Sequence, residues 1–169
     1  DKTGTLTMGE PDVVEVVVSS DMTEDKVLAL AATVEQGSDH PLAQAILKRA
    51  GDMQKAQLTG FENIEGKGAR AEIDGQEVLL GNRRLMDEET VDMASLKPEA
   101  KRLQGAGQTV VHIARAGQLV GLIAIADAPR PTAAAMVAKL RERGVEVAML
   151  TGDNRATADR IAAGLGITT

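Results

Sequence analysis

The 169-residue sequence predicts a chain of two lobes, an α+β lobe inserted into a partial α/β lobe. Three observations carry this. Residues 132–164 run helix, apolar strand, loop and helix, the order that a parallel α/β sheet produces. Residues 59–126 instead alternate apolar and polar positions in short segments broken by tight turns, as an antiparallel sheet does. Gly9 with Pro11, and Pro129 with Pro131, mark the two points where the chain crosses between these textures. The inner lobe is thereby set at residues 11–126, and the outer lobe at residues 1–10 and 127–169.

In chain order, residues 12–19 are rich in valine and read as a strand leading into the inner lobe. Asp21-Met22-Thr23-Glu24 offers capping groups for a helix over 26–34, with Val27, Leu28, Leu30, Ala31 and Val34 on one face. Gly37-Ser38-Asp39 ends it, and Pro41 at a first-turn position opens a second helix through Ala50. Strands follow at 61–64, 69–73 and 77–80, the last two joined by the turn Asp74-Gly75. A short helix is expected after Asn82 and another over 98–104. Residues 109–114 and 119–126 form a strand pair across Ala116-Gly117. Asp127-Ala128-Pro129-Arg130-Pro131 interrupts the sheet as a hinge, because two prolines fix φ and withhold their N–H groups. Beyond it come a helix over 132–143, a buried strand over 145–150, and a loop from Thr151 into a helix over 156–164.

Composition narrows the function. Aromatic residues are 1% of the chain, Phe61 alone, so the core is built from Val, Leu, Ile, Ala and Met, and stacking of bases on aromatic platforms is nearly excluded. A net charge of −6 without a basic run argues against a nucleic-acid partner. With no cysteine there is neither a disulfide nor a thiolate metal site. The longest apolar stretch, residues 119–126, is far below the roughly 20 residues that span a bilayer, and the chain reads as soluble.

The opening run Asp1-Lys2-Thr3-Gly4-Thr5-Leu6-Thr7 places a carboxylate at the head of a small turn-forming segment. Backbone N–H groups and the Lys2 ammonium can gather phosphate oxygens there, while the Asp1 carboxylate acts as nucleophile and forms an acyl phosphate. Thr151-Gly152-Asp153 follows an apolar segment and precedes a helix, the place where α/β folds present groups to a ligand. Its hydroxyl and N–H groups suit the phosphate oxygens transferred to Asp1.

The heptad resembles the phosphorylation motif of the P-type ATPases, and Thr151-Gly152-Asp153 resembles the loop that completes their phosphorylation site. Soluble phosphatases of the haloacid dehalogenase superfamily usually carry a second aspartate two positions after the nucleophile. Thr3 occupies that position and cannot relay a proton, so the intermediate should persist. Glu35 with Ser38-Asp39-His40-Pro41-Leu42-Ala43 is similar to the Ser-Glu-His-Pro-Leu element of the heavy-metal-transporting, type IB branch, whose nucleotide domain lacks an aromatic platform. The resemblance extends to Gly66 and Gly68 as a Gly-x-Gly nucleotide motif, to Gly81-Asn82 near purine and ribose, and to Asp127 with Arg130 as an interlobe hinge.

The resemblance implies a partial haloacid-dehalogenase-like, Rossmannoid phosphorylation lobe with an inserted nucleotide-binding lobe of antiparallel sheet and helices. It implies ATP beside Glu35, His40, Gly66, Gly68, Gly81 and Asn82, phosphoryl transfer to Asp1 with Lys2, Thr151, Gly152 and Asp153 in support, and Mg²⁺ on Asp1 and the Thr3 carbonyl. The implied partners are transmembrane and actuator domains of a longer parent chain in a cell membrane, and a heavy-metal ion bound outside these residues. Copper is the expected ion; a zinc or cadmium pump, or a soluble phosphatase, is the alternative. A chain that opens on its nucleophile, without the strand that delivers it and without later Mg²⁺ ligands, is expected to be a piece that binds nucleotide with little turnover.

Overall fold

In chain order the first elements are β1 (Thr7–Val18), α1 (Glu24–Val34), α2 (Pro41–Ala50), β2 (Leu58–Ile64), β3 (Gly68–Ile73) and β4 (Gln76–Gly81). They are followed by α3 (Arg83–Glu88), α4 (Lys97–Gly105), β5 (Thr109–Arg115), β6 (Gln118–Pro129), α5 (Ala133–Glu142) and α6 (Arg155–Leu165). The computed structural model describes residues 2, 4–38, 40–53, 56–93, 95–151 and 155–167, with the Ala156 side chain left out.

All six strands join one antiparallel sheet in the order β1-β6-β5-β4-β3-β2. Side-chain alternation splits its two faces between two helix layers. Val111, Ile113, Ile123 and Ile125 face α1 and α2, meeting Val27, Ala31 and Ile46. Val110, Ala114, Leu122 and Ala124 face α3 and α4, meeting Leu85, Met86 and Leu103. The predicted helix starts hold: the Thr23 hydroxyl accepts the Lys26 N–H, and Pro41 opens α2. A third, separate cluster unites Ala133 and Val137 of α5 with Leu165 and Ile167, and Leu6, Val147 and Met149 pack against it. This is the core of the outer lobe.

Two sequence expectations are corrected. The sheet does not stop at the prolines: β1 begins at Thr7 and β6 runs to Pro129, with Pro11 opposite Asp127 and Thr7 opposite Pro129. β5 pairs with β6 only as far as Ile125, so beyond that point β6 has β1 as its one neighbour. Each proline therefore sits on a strand with a free side, where a missing N–H breaks no ladder. A register shift between Thr7 and Pro11 absorbs the bend at Gly9. The second correction concerns residues 145–150, expected as a strand, which form none, and Leu150 is 75% exposed. A parallel strand is stable between partner strands, and among the described residues none lies beside this segment.

Gly121 on β6 sets how closely α1 approaches the sheet. A Cβ added there would lie 2.6 and 2.8 Å from the two methyl groups of Val27. Gly121→Ala is expected to destabilise the chain by about 1–3 kcal/mol through overpacking. Val27→Ala in the same chain should recover part of that loss in urea denaturation, because the two sites couple through one contact.

Candidate functional site

The opening loop is a knot of hydrogen bonds around one carbonyl. Lys2 O accepts the N–H groups of Thr5, Leu6 and Thr7 at 3.2, 2.9 and 3.1 Å. Thr7, fully buried, donates its hydroxyl to Asp127 Oδ2 at 2.5 Å and accepts the Gly4 N–H at 3.4 Å. Asp127 Oδ1 accepts the Gly9 N–H at 3.1 Å. Arg130 adds two further ties, its guanidinium to Gly4 O and its N–H to Leu6 O, each 2.9 Å. The predicted hinge is thus a physical joint, in which one aspartate and one arginine clamp the loop to the β1–β6 ribbon.

Lys2 is buried at this joint, and Thr151 is half-buried after the exposed Leu150. Leu6 and Met149 pack against the same outer-lobe cluster, which brings the opening loop toward the segment that ends at Thr151. Asp1, Thr3, Gly152 and Asp153 lie outside the described residues. Among the described residues, no group of three or more His, Cys, Asp or Glu could hold a metal ion.

A cleft of about 490 Å³ opens between the lobes, bordered by Lys2, Asp127, Pro41, Leu42, Thr157 and Arg160. Two bonds tie the lobes beside it: Thr157 Oγ1 donates to Gly107 O at 2.9 Å, and Arg160 Nη1 to Ala106 O at 2.5 Å. The cleft joins the neighbour of position 1 to the first turn of α2.

Glu35, Ser38 and His40 form one corner between α1 and α2. Glu35 caps α1, with its N–H bonded to Ala31 O, and its carbonyl accepts the Ser38 N–H at 3.0 Å. Burial pushes the Glu35 carboxyl above its ordinary value, opposed by a hydrogen bond from Ser38 and by the nearby His40 ring. His40 caps α2: its Nδ1 accepts the Leu42 N–H at 3.2 Å. An accepting Nδ1 carries no proton, so the neutral ring bears its proton on Nε2, on an exposed side chain. The capping role and a donor for a ligand therefore coexist on opposite nitrogens.

Gly66, Gly68, Gly81 and Asn82 meet in a second corner. Gly68 stands opposite Gly81 in the β3–β4 ladder at φ +147°. A Cβ on Gly68 would lie 2.1 Å from Leu80 O, and one on Gly81 would lie 2.2 Å from Lys67 O. The neighbouring strand thus approaches Gly68 as closely as a glycine allows. Gly66 alone of the three has open space where a Cβ would go. Asn82 caps α3 by accepting the Leu85 N–H at 3.1 Å, and it donates Nδ2 to Gly66 O at 2.9 Å and its N–H to Lys67 O at 2.8 Å. Among the described residues no hydrogen bond joins this corner to the Glu35–His40 corner.

Sequence reasoning missed two residues. Arg70 binds Glu62, Glu77 and Glu89, linking β2, β4 and the end of α3 around the glycine turn. His112, fully buried, lies with Nδ1 3.3 Å from Gly81 O. Its signal was in plain view, a histidine inside the apolar run Val110-Val111-His112-Ile113-Ala114.

A family profile for haloacid dehalogenase-like hydrolases matches residues 1–169. A copper-transporting P-type ATPase of Rhizobium leguminosarum bv. viciae is 41% identical over 169 residues, covering 99% of this chain and 20% of that protein. The chain thus spans about a fifth of the length of the curated relatives it matches. The crystal structure of a zinc-transporting PIB-type ATPase in an E2.Pi state superimposes with a TM-score of 0.81 at 36% identity, over 99% of this chain and 27% of that one. The N-domain of a copper-transporting P-type ATPase superimposes with a TM-score of 0.60 at 30% identity, over 68% of this chain and 99% of that domain.

Two measurements follow from the two corners. Gly81→Ala drives a Cβ into backbone and is expected to cost about 3 kcal/mol in urea denaturation, whereas Gly66→Ala meets only the left-handed penalty of about 1 kcal/mol. For Glu35, a raised folded value means that the folded state holds the proton more tightly than the unfolded chain. Its stabilising protonation is complete below the ordinary value of 4.5 and is lost as pH rises through the raised value. Glu35→Gln should therefore be more stable than the wild type at neutral pH, with the advantage shrinking toward pH 4.5; urea midpoints across that range check the sign.

Proposed function

Because the chain belongs to the haloacid dehalogenase-like hydrolases and matches the cytoplasmic domains of type IB P-type ATPases, we propose that it is the nucleotide-binding and phosphorylation segment of a heavy-metal pump. One observation carries the proposal. The interlobe cleft is bordered by Lys2, next to Asp1, and by Pro41 and Leu42, next to His40. ATP held at the α1–α2 corner can extend its terminal phosphate across that cleft toward Asp1.

In the chemical step an Asp1 carboxylate oxygen attacks the γ-phosphorus. The bond from that phosphorus to the β,γ-bridging oxygen breaks, ADP leaves, and an acyl phosphate remains on Asp1. The buried Lys2 ammonium offsets charge on the transferring group, and Thr151 with Gly152 and Asp153 completes the site. Thr3 supplies no proton relay, so hydrolysis waits on another part of the parent protein. Mg²⁺, which the family implies, would be held by Asp1 and the Thr3 carbonyl; among the described residues no cluster of three or more His, Cys, Asp or Glu adds to them. At the nucleotide end, the His40 Nε2–H donates to the purine, Glu35 orients that corner, and Gly66 with Asn82 flanks the base and ribose.

The domain division follows the same reading. The inner lobe, residues 11–126, binds nucleotide, and residues 1–10 with 127–169 receive the phosphoryl group. The N-domain match covers a share of this chain about as large as the inner lobe and supports that division. Transmembrane and actuator domains of the parent chain are the partners, which makes this a cytoplasmic domain of a membrane protein; among the described residues no helix is long and apolar enough to cross a membrane. The copper-transporting relative favours copper as the ion, and the zinc-transporting structure keeps zinc as the second reading.

Calorimetric titration of ATP into the 169-residue chain tests the site. His40→Asn keeps an N-cap acceptor for α2 but lacks Nε2–H, so binding should weaken about tenfold while helix content is unchanged. Equal affinity would remove His40 from the site. Pump-like ATP turnover by these residues, abolished by Asp1→Asn, would refute the division of labour between this segment and the rest of the parent.

A further inference from the structure

His112 stands in the middle of β5, opposite Gly81 of β4 and Leu122 of β6, with no exposed surface. Its neighbours on that strand face, Val110 and Ala114, belong to the apolar core beneath α3 and α4. The ring Nδ1 lies 3.3 Å from Gly81 O, whereas Nε2 has no hydrogen-bond partner. A carbonyl only accepts, so Nδ1 carries the proton and Nε2 is a bare lone pair. Burial holds the ring below its ordinary pKa, outweighing its bond to the Gly81 carbonyl, which agrees with a neutral imidazole.

A half-satisfied imidazole in an apolar core is a poor choice for stability, since a buried polar atom without a partner carries an uncompensated desolvation cost. A leucine would fill the same space without that cost. What the ring does is hold one carbonyl, that of the residue before Asn82. Asn82 in turn makes the three bonds that fix the Gly66–Lys67 turn against β4 and start α3. We propose that His112 is a positioning residue for nucleotide binding, its Nδ1–H setting the Gly81–Asn82 peptide so that Asn82 and the Gly66 turn face the ligand together. The inference rests on the reading that ATP lies beside Gly66 and Asn82.

The test is calorimetric titration of ATP into the whole 169-residue chain, with urea denaturation of each variant. His112→Leu should bind ATP about five- to tenfold more weakly, the effect of losing one oriented hydrogen bond, with a urea midpoint close to that of the wild type. His112→Asn places an amide N–H where Nδ1 lies and should restore affinity to within about twofold. Should His112→Leu not fold cooperatively, His112→Gln replaces it, because its amide reaches toward the Nε2 position and leaves Gly81 O without its donor. The long-range nitrogen spectrum of the wild type should show His112 protonated at Nδ1 and bare at Nε2. Equal affinity of the wild type and His112→Leu, or the opposite tautomer, overturns this inference alone. A wild type that does not bind ATP overturns it together with the nucleotide site from which it starts.

Discussion

The structure depends on the carboxylate of Asp127. The chain crosses between lobes on two strands, β1 and β6, and at the crossing β6 has left β5 behind, so the two strands have only each other as neighbours. A two-stranded ribbon bent at Gly9 is weak by itself. Asp127 bonds both the Thr7 hydroxyl and the Gly9 N–H, bridging the two strands on either side of the bend. Hydrogen bonds to a charged acceptor contribute about 1.5–3 kcal/mol each, more than the neutral ladder bonds they replace. Thr7 passes that constraint onward, since its oxygen also receives the Gly4 N–H of the opening loop. The opening loop is thus held through Thr7 by a side chain 120 residues further along the chain.

The inner lobe solves a different problem, that of presenting polar groups at the rim of a sheet whose two faces are filled by aliphatic side chains. It does so by satisfying most of those groups internally. Asn82 uses its side-chain oxygen, its side-chain N–H and its backbone N–H on the protein, so it acts as a bracket for the Gly66 turn before it meets any ligand. The two histidines are fixed in opposite tautomers by the same rule. His40 accepts from a backbone N–H and keeps its proton on the exposed side, while His112 donates to a backbone carbonyl and hides its bare nitrogen in the core. Neither tautomer is a property of histidine. Each is imposed by whichever backbone group stands 3.2 or 3.3 Å from Nδ1.

Most of the inner lobe was legible in the sequence because its signals are local. The helical spacing of Val27, Leu28, Ala31 and Val34, the cap at Thr23, Pro41 at the head of α2 and the Asp74-Gly75 turn each declare an element within a few residues. The candidate residues were legible by motif, and two of the expected groupings, Glu35 with His40 and Gly66 with Asn82, are assembled in the structure. What escaped was set by long-range pairing. The prolines near 129 look like strand breakers until β6 is seen to run past the end of β5, and residues 145–150 look like a strand until their neighbours are examined. The close packing of Gly68 against Gly81 has no local signal, because it appears only when β3 and β4 are in register. His112 escaped for a related reason: one polar residue in an apolar strand has no meaning until the carbonyl opposite it is known.

The joint and the latch between the lobes differ in chemistry, and the difference suits a cleft that opens and closes. At the ribbon, a carboxylate binds groups within the strands it joins, so those bonds would be carried along by a twist of the ribbon. Beside the cleft, Thr157 and Arg160 bind the neutral carbonyls of Gly107 and Ala106, and Arg160 is exposed. Water competes directly for such an exposed bond, so breaking it costs little. A swing of the inner lobe about the ribbon would therefore separate α6 from the loop after α4 and leave the Asp127 bridge made. On the proposed reading, a nucleotide held at the α1–α2 corner would approach or leave the opening loop along an arc whose pivot is the β1–β6 ribbon. The register of that pivot, Thr7 opposite Pro129, is held by ladder pairing that the prolines leave intact.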